Sequence, residues 1–121
     1  MSEKPAWQEA SLELTELLMN VSVAIKKEDG LSVFSARIAQ LSKDLLVSFH
    51  NAWRENHALD TETKLVRDVL ENSRDAQVAI KDSGVVLQPA VVNNVSYNVN
   101  IDGMVAHADL ILEQANIMAG E

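Results

Sequence analysis

The chain has 121 residues, a formal net charge of −8 and no cysteine. Apolar residues make up 47% and charged residues 23% of it, which is the composition of a globular domain rather than of a disordered chain. The lack of cysteine excludes disulfides and thiolate metal sites, and the acidic balance argues against nucleic acid, whose phosphates require a basic surface. No apolar run approaches the ~20 residues that span a bilayer, and the charged N-terminus is unlike a signal peptide. We therefore expect one helical-bundle domain over residues 1–121, located in the cytoplasm, with no membrane contact.

Apolar residues that recur every three or four positions predict three helices in the first two thirds of the chain. The first starts at Pro5, the second is capped by Ser32, and the third is capped by Asp60 or Thr61 and stops at Gly84. The residues predicted to face inward are Trp7, Ala10, Leu14, Leu17, Val21 and Ala24 in the first helix, Phe34, Ile38, Leu41, Leu45, Phe49 and Ala52 in the second, and Leu65, Val69, Ala76 and Ile80 in the third.

Residues 95–101, "VSYNVNI", alternate apolar and polar side chains in the manner of a strand. The three- and four-residue spacing nevertheless continues through them and predicts a long fourth helix over residues 89–118, which would complete an all-α antiparallel four-helix bundle. The alternative is three helices plus a β-hairpin at residues 85–101, turning at Asn93 and Asn94, and a short C-terminal helix. An isolated two-stranded hairpin is only marginally stable in water, and this consideration favours the helix.

The first and fourth predicted helices carry a second apolar face opposite the inward one. Its residues are Leu12, Met19 and Val23 in the first helix, and Val92, Val95, Val99, Ala106, Leu110 and Ile117 in the fourth. Residues 85–101 also carry no charge of either sign. A helix that is apolar on both sides must be covered, either at the centre of an irregular bundle or by another subunit.

This second face predicts a non-enzymatic protein–protein interaction module. We expect the interface to comprise Leu12, Met19, Val23, Val92, Val95, Val99 and Leu110, and the partner to be a second copy of the chain or another protein. No Gly-rich phosphate loop and no serine or threonine beside a histidine in a nucleophile motif is found in the sequence. We therefore expect neither catalysis nor a cofactor.

The three histidines, His50, His57 and His107, are the side chains suited to proton transfer near neutral pH. The Glu-x-x-His pattern of di-metal bundles does not occur, so no metal site is predicted. Histidine-phosphotransfer modules are helical bundles of about this size with one exposed histidine, and His50, which lies outside its helix's apolar stripe, is similar in that respect. The segment "HNAWRE" departs from that family's motif, which has a Lys and a Gly after the histidine. The alternative function is thus phosphotransfer-like signalling, or small-ligand or metal binding, at His50.

Overall fold

The computed structural model describes residues 4–56 and 59–120, and these are mostly helical. The helices are α1 (Ala6–Leu18), α2 (Val21–Lys27), α3 (Leu31–Glu55), α4 (Asp60–Asp82) and α5 (Ile101–Met118). Strands β1 (Ala90–Val92) and β2 (Val95–Tyr97) form a two-stranded antiparallel sheet between α4 and α5. The predicted helical character is therefore confirmed in broad terms, but the predicted helix over residues 89–118 is wrong over residues 89–100, since helix α5 starts at Ile101.

The hairpin that was the alternative interpretation of residues 85–101 is present, with strands Ala90–Val92 and Val95–Tyr97, and two features explain it. Asn93 and Asn94 adopt left-handed backbone conformations, with φ of 52° and 65°, which asparagine tolerates better than most residues. The hairpin is also not isolated, because the Ser32 hydroxyl donates a 2.5 Å hydrogen bond to the carbonyl of Gln88. Contacts with the helices thus supply the stability that a free hairpin lacks.

The first predicted helix is divided into α1 and α2 by a break at Met19 and Asn20. Asn20 has φ of −105° and ψ of 7°, outside the helical range, and its side-chain amide donates to the carbonyl of Glu16 at 3.0 Å. The predicted inward face survives the break: Leu14 is fully buried, and Val21 packs against the core from α2.

The core lies between the central helices α3 and α4 and the two helices that pack on them, α1 and α5. Its large buried side chains are Leu14, Leu31, Ile38, Leu45, Phe49, Val66, Leu70, Ile80 and Ile111. Trp7 packs edge-on against Phe49, with ring centroids 5.1 Å apart and an interplanar angle of 85°. The inward face predicted for the second helix is confirmed, because Ile38, Leu45 and Phe49 of α3 are completely buried.

Helix α4 is rotated relative to its predicted orientation. Ala76 and Ile80 are buried as predicted, but Leu65 is 58% exposed, so its assignment to the core was wrong. Val66 and Leu70 are buried in its place. The inward face of α4 also contains the polar residues Thr63, Ser73 and Gln77, which a search for apolar spacing passes over.

Helices α3 and α4 contact each other, and α1 and α5 each pack against both of them. Over the described residues, α1 and α5 share no extensive contact of their own. Since both flank the α3–α4 pair without meeting, they lie on opposite sides of it. This arrangement determines which exposed apolar residues belong to one surface.

Candidate association surface

The tip of the hairpin is a two-residue turn at Asn93 and Asn94. Positive φ at both central residues defines a type I′ turn, whose twist matches that of the flanking strands. The paired residues are Val92 with Val95, Val91 with Ser96, and Ala90 with Tyr97. The local sequence therefore fixes the register, because a two-residue turn leaves the strands no other pairing.

The two faces of the hairpin differ in exposure. Side chains alternate along a strand, so Ala90 and Tyr97 share one face with Val92 and Val95. Ala90 and Tyr97 are half-buried against the body of the protein, whereas Val92 and Val95, nearer the tip, are 43% and 51% exposed. Val91, on the opposite face, is 71% exposed. The hairpin therefore presents valines to solvent on both faces.

Val86, in the segment that leads into β1, is also exposed. We refer to the exposed valines Val86, Val91, Val92 and Val95 as the hairpin surface. Only Val92 and Val95 were predicted as interface residues from sequence, because the helical interpretation placed the other two elsewhere. The sequence feature that all four valines share is their position within residues 85–101, which carry no charge.

The base of the hairpin is held by hydrogen bonds and apolar contacts. Ser83 accepts a 3.2 Å hydrogen bond from the Val85 N–H and donates to the Ile80 carbonyl, which closes the end of α4. Val85 and Leu87 pack against the core. At the other end, Asn100 caps α5, since its side-chain oxygen accepts the Gly103 N–H at 3.2 Å. The hairpin is therefore fixed at both ends.

No charged side chain occurs from residue 83 to residue 101 in a chain of net charge −8. An ion pair flanks this segment: the Lys81 ammonium lies 3.0 Å from a carboxylate oxygen of Asp102. The hydrogen bond to Asp102 and its negative charge raise the pKa of Lys81 above the ordinary lysine value, and the charge of Asp82 adds to the effect. A second pair joins Arg74 and Asp109 across 3.7 Å. The two acids of α5 nearest the hairpin are thus compensated, and the hairpin surface itself is neutral.

The remaining predicted interface residues fall on two separate sides of the molecule. Leu110 of α5 is 61% exposed, as predicted, and Val99 is half-buried beside the start of α5. Leu12 is exposed on α1, Met19 in the turn after α1, and Val23 on α2. Because α1 and α5 lie on opposite sides of the α3–α4 pair, these residues do not join the α5 residues in one surface.

The exposed position predicted for His50 is confirmed. Its ring stacks on Trp53, with centroids 6.1 Å apart and an interplanar angle of 26°. Both residues line a groove of about 320 Å³ between the C-terminal halves of α3 and α5, together with Leu46, Val47, Asn51, Gln114, Ile117 and Met118. His107 is half-buried on α5, with a buried Nδ1 that has no hydrogen-bond partner among the described residues, and His57 lies outside the described residues. The groove was not predicted from sequence.

Within residues 4–56 and 59–120, no three His, Cys, Asp or Glu side chains are grouped so as to hold a metal ion. Over the same ranges, no helix combines the length and apolar character needed to cross a membrane. Comparison of the chain with protein-family models, with curated proteins and with solved structures gave no match.

Proposed function

We propose that this protein is a non-enzymatic association module that forms a homodimer through the hairpin surface. The observation that carries the proposal is the combination of exposed valines with the absence of charge over residues 83–101. Contiguous exposed apolar residues are uncommon on soluble monomers and mark interaction sites. Burial of a valine contributes about 1.5–3 kcal/mol relative to full exposure, so covering several of them favours association.

The partner in this proposal is a second copy because of the charge distribution. Two copies of net charge −8 repel each other over most of their surfaces. They approach with the least repulsion where each is neutral, which is at the hairpin. A strongly basic partner would be attracted to the acidic remainder of the molecule instead. The proposal retains Val92, Val95, Val99 and Leu110 as interface residues and leaves Leu12, Met19 and Val23, on the other side of the α3–α4 pair, outside this surface.

The framework that presents this surface is, in the proposal, an antiparallel four-helix bundle made of α1 with α2, α3, α4 and α5. Its support is the packing of α1 and α5 on both central helices, and the short connections that precede α3 and α4. The hairpin then replaces the first part of the fourth helix that the apolar spacing predicted. A rigid helical framework suits an association module because it holds a small sheet in a fixed orientation.

Val95→Glu tests the proposal. Wild-type protein should scatter light as a species of twice the 13.3 kDa chain mass at high micromolar concentration. Val95→Glu should be monomeric with unchanged helical circular dichroism, because burial of an unpaired carboxylate at the interface is strongly unfavourable. Val47→Glu is the matched control: Val47 is 50% exposed on α3, against 51% for Val95, and it lies outside the hairpin surface. It should remain dimeric. A monomeric wild type, or dimers of Val95→Glu as tight as wild type, would refute the proposal.

A further inference from the structure

The two edges of the hairpin are not equivalent. In a type I′ turn the Val95 N–H donates to the Val92 carbonyl, so Val92 and Val95 are a hydrogen-bonded pair. Hydrogen-bonded and non-hydrogen-bonded pairs alternate in an antiparallel ladder. The backbone N–H and C=O groups of Val91 and Ser96 therefore point outward, those of Val91 from the β1 edge and those of Ser96 from the β2 edge.

The outer edge of β1 is interrupted by a proline, whereas that of β2 is not. The next outward position on the β1 side is Pro89, which has no N–H to offer a neighbouring strand. On the β2 side the corresponding residue is Asn98, which retains its N–H. Among the described residues, the backbone groups of Ser96 and Asn98 have no hydrogen-bond partner outside the hairpin, and both residues are exposed.

An open strand edge is a template for another strand, and proteins usually protect such edges with charged residues, prolines or a covering element. The β2 edge has neither a charge nor a proline, since residues 83–101 carry no charge and the proline lies on the other edge. Strand β2 contacts α3, but its central residue Ser96 is exposed. We propose that the β2 edge pairs antiparallel with the β2 edge of a second copy and forms a continuous four-stranded sheet. This inference rests on the proposed homodimer and specifies its geometry.

The sequence of β2 is self-complementary in this arrangement. With the twofold axis at the central residue of the strand, Ser96 faces Ser96 of the second copy, and the two exchange N–H to C=O hydrogen bonds. Val95 then lies opposite Tyr97 of the second copy, and Tyr97 opposite its Val95. Pairs of an aromatic and a β-branched residue are among the favourable cross-strand contacts. Such pairing covers Val95, which is 51% exposed in the single chain.

A cysteine at position 96 tests this geometry, because the natural chain contains no cysteine that would compete. In the proposed sheet the two Cα atoms of residue 96 are about 5.5 Å apart, a separation that a disulfide spans. Ser96→Cys should therefore form a covalent dimer in a mildly oxidising glutathione buffer, as seen on non-reducing gels. Val91→Cys is the matched control, since Val91 pairs with Ser96 in the hairpin and is 71% exposed. Its two copies would be about 14 Å apart across the sheet, from the ~4.8 Å strand spacing.

At about 10 μM protein, Ser96→Cys should cross-link about a hundredfold faster than Val91→Cys, because cysteines held together in a dimer react at a millimolar effective concentration. Light scattering of the wild-type protein in the same buffer shows whether a dimer forms without a disulfide. If wild type is dimeric but the two cysteine variants cross-link at equal rates, edge pairing is refuted and the proposed homodimer stands. If wild type is monomeric, both are refuted.

Discussion

Ser35 and Gln77 place a polar pair inside the apolar core between α3 and α4. The Ser35 hydroxyl donates to Oε1 of Gln77 at 2.7 Å, and the Gln77 amide donates to the Ser35 carbonyl at 3.0 Å. Neither residue is accessible to solvent. Buried polar groups are tolerated when they are hydrogen-bonded, so each of these residues depends on the other.

Removal of either partner should lower the free energy of unfolding, and removal of both should lower it by less than the sum of the two single losses. Ser35→Ala or Gln77→Met leaves a buried polar group unpaired, which costs about 1–3 kcal/mol. Urea unfolding of the single and double variants should give a coupling energy of about 0.5–3 kcal/mol. Ser42 provides the control, because its buried hydroxyl bonds to the Ile38 carbonyl of its own helix at 2.7 Å. Ser42→Ala should be additive with Gln77→Met. Strict additivity of Ser35→Ala with Gln77→Met would contradict the assigned pair.

The same pair explains why the inward face of α4 was only partly predicted. A search for apolar spacing selected Leu65 and passed over Gln77, because glutamine is usually exposed. Whether a glutamine is buried depends on a partner such as Ser35, 42 positions earlier in the chain, and a single sequence does not show that contact. In α3 the predicted apolar residues Ile38, Leu45 and Phe49 are buried, although the serines buried beside them were likewise passed over.

The hairpin shows how two periodicities compete within one element. Over residues 95–101 the chain satisfies both a three/four repeat and a strict alternation, so spacing alone does not decide between helix and strand. The deciding features were the asparagine pair and the tertiary bond from Ser32 to Gln88. The asparagine pair is visible in the sequence. The tertiary bond is not, and a hairpin without such a contact is only marginally stable in water.

Substitutions at Asn94 should reveal the left-handed turn. Its φ of 65° disfavours residues with a Cβ, other than Asn and Asp, by about 1–2 kcal/mol. Asn94→Ala should therefore speed hydrogen exchange of the Val95 amide, the donor that closes the turn, by about tenfold. Asn94→Gly should leave this exchange unchanged or slow it, because Asn-Gly is the preferred type I′ pair. The control is Asn98→Ala: Asn98 is not among the residues of positive φ, so this substitution should have little effect. Equal exchange in Asn94→Ala and wild type would rule out the type I′ turn.

At the level of the whole molecule, the predicted helical composition is confirmed, whereas the neighbours of each helix were not predictable. The expected surface joined the first and last helices, but α1 and α5 lie on opposite sides of the α3–α4 pair. Apolar spacing shows which face of a helix is covered, and does not show which helix covers it. The division of the apolar residues into a hairpin side and an α1 side is therefore information that the structure adds.

The charge distribution gives the proposed dimer a characteristic dependence on salt. Each copy carries a net charge of −8, yet residues 83–101 are neutral. Two such copies attract through apolar and backbone contacts at the hairpin and repel through the rest of their surfaces. Added salt screens the repulsion without weakening the attraction, because no ion pair crosses the proposed interface.

Sedimentation equilibrium of the wild-type chain at two salt concentrations tests self-association through a neutral surface most directly. The Debye length falls from about 10 Å at 0.1 M to about 3 Å at 1 M salt, so repulsion between copies is largely removed over this range. We predict a monomer–dimer equilibrium whose dissociation constant decreases as the salt concentration rises. A chain that remains monomeric at both salt concentrations, or a dimer that dissociates as salt is added, would contradict self-association through a neutral surface.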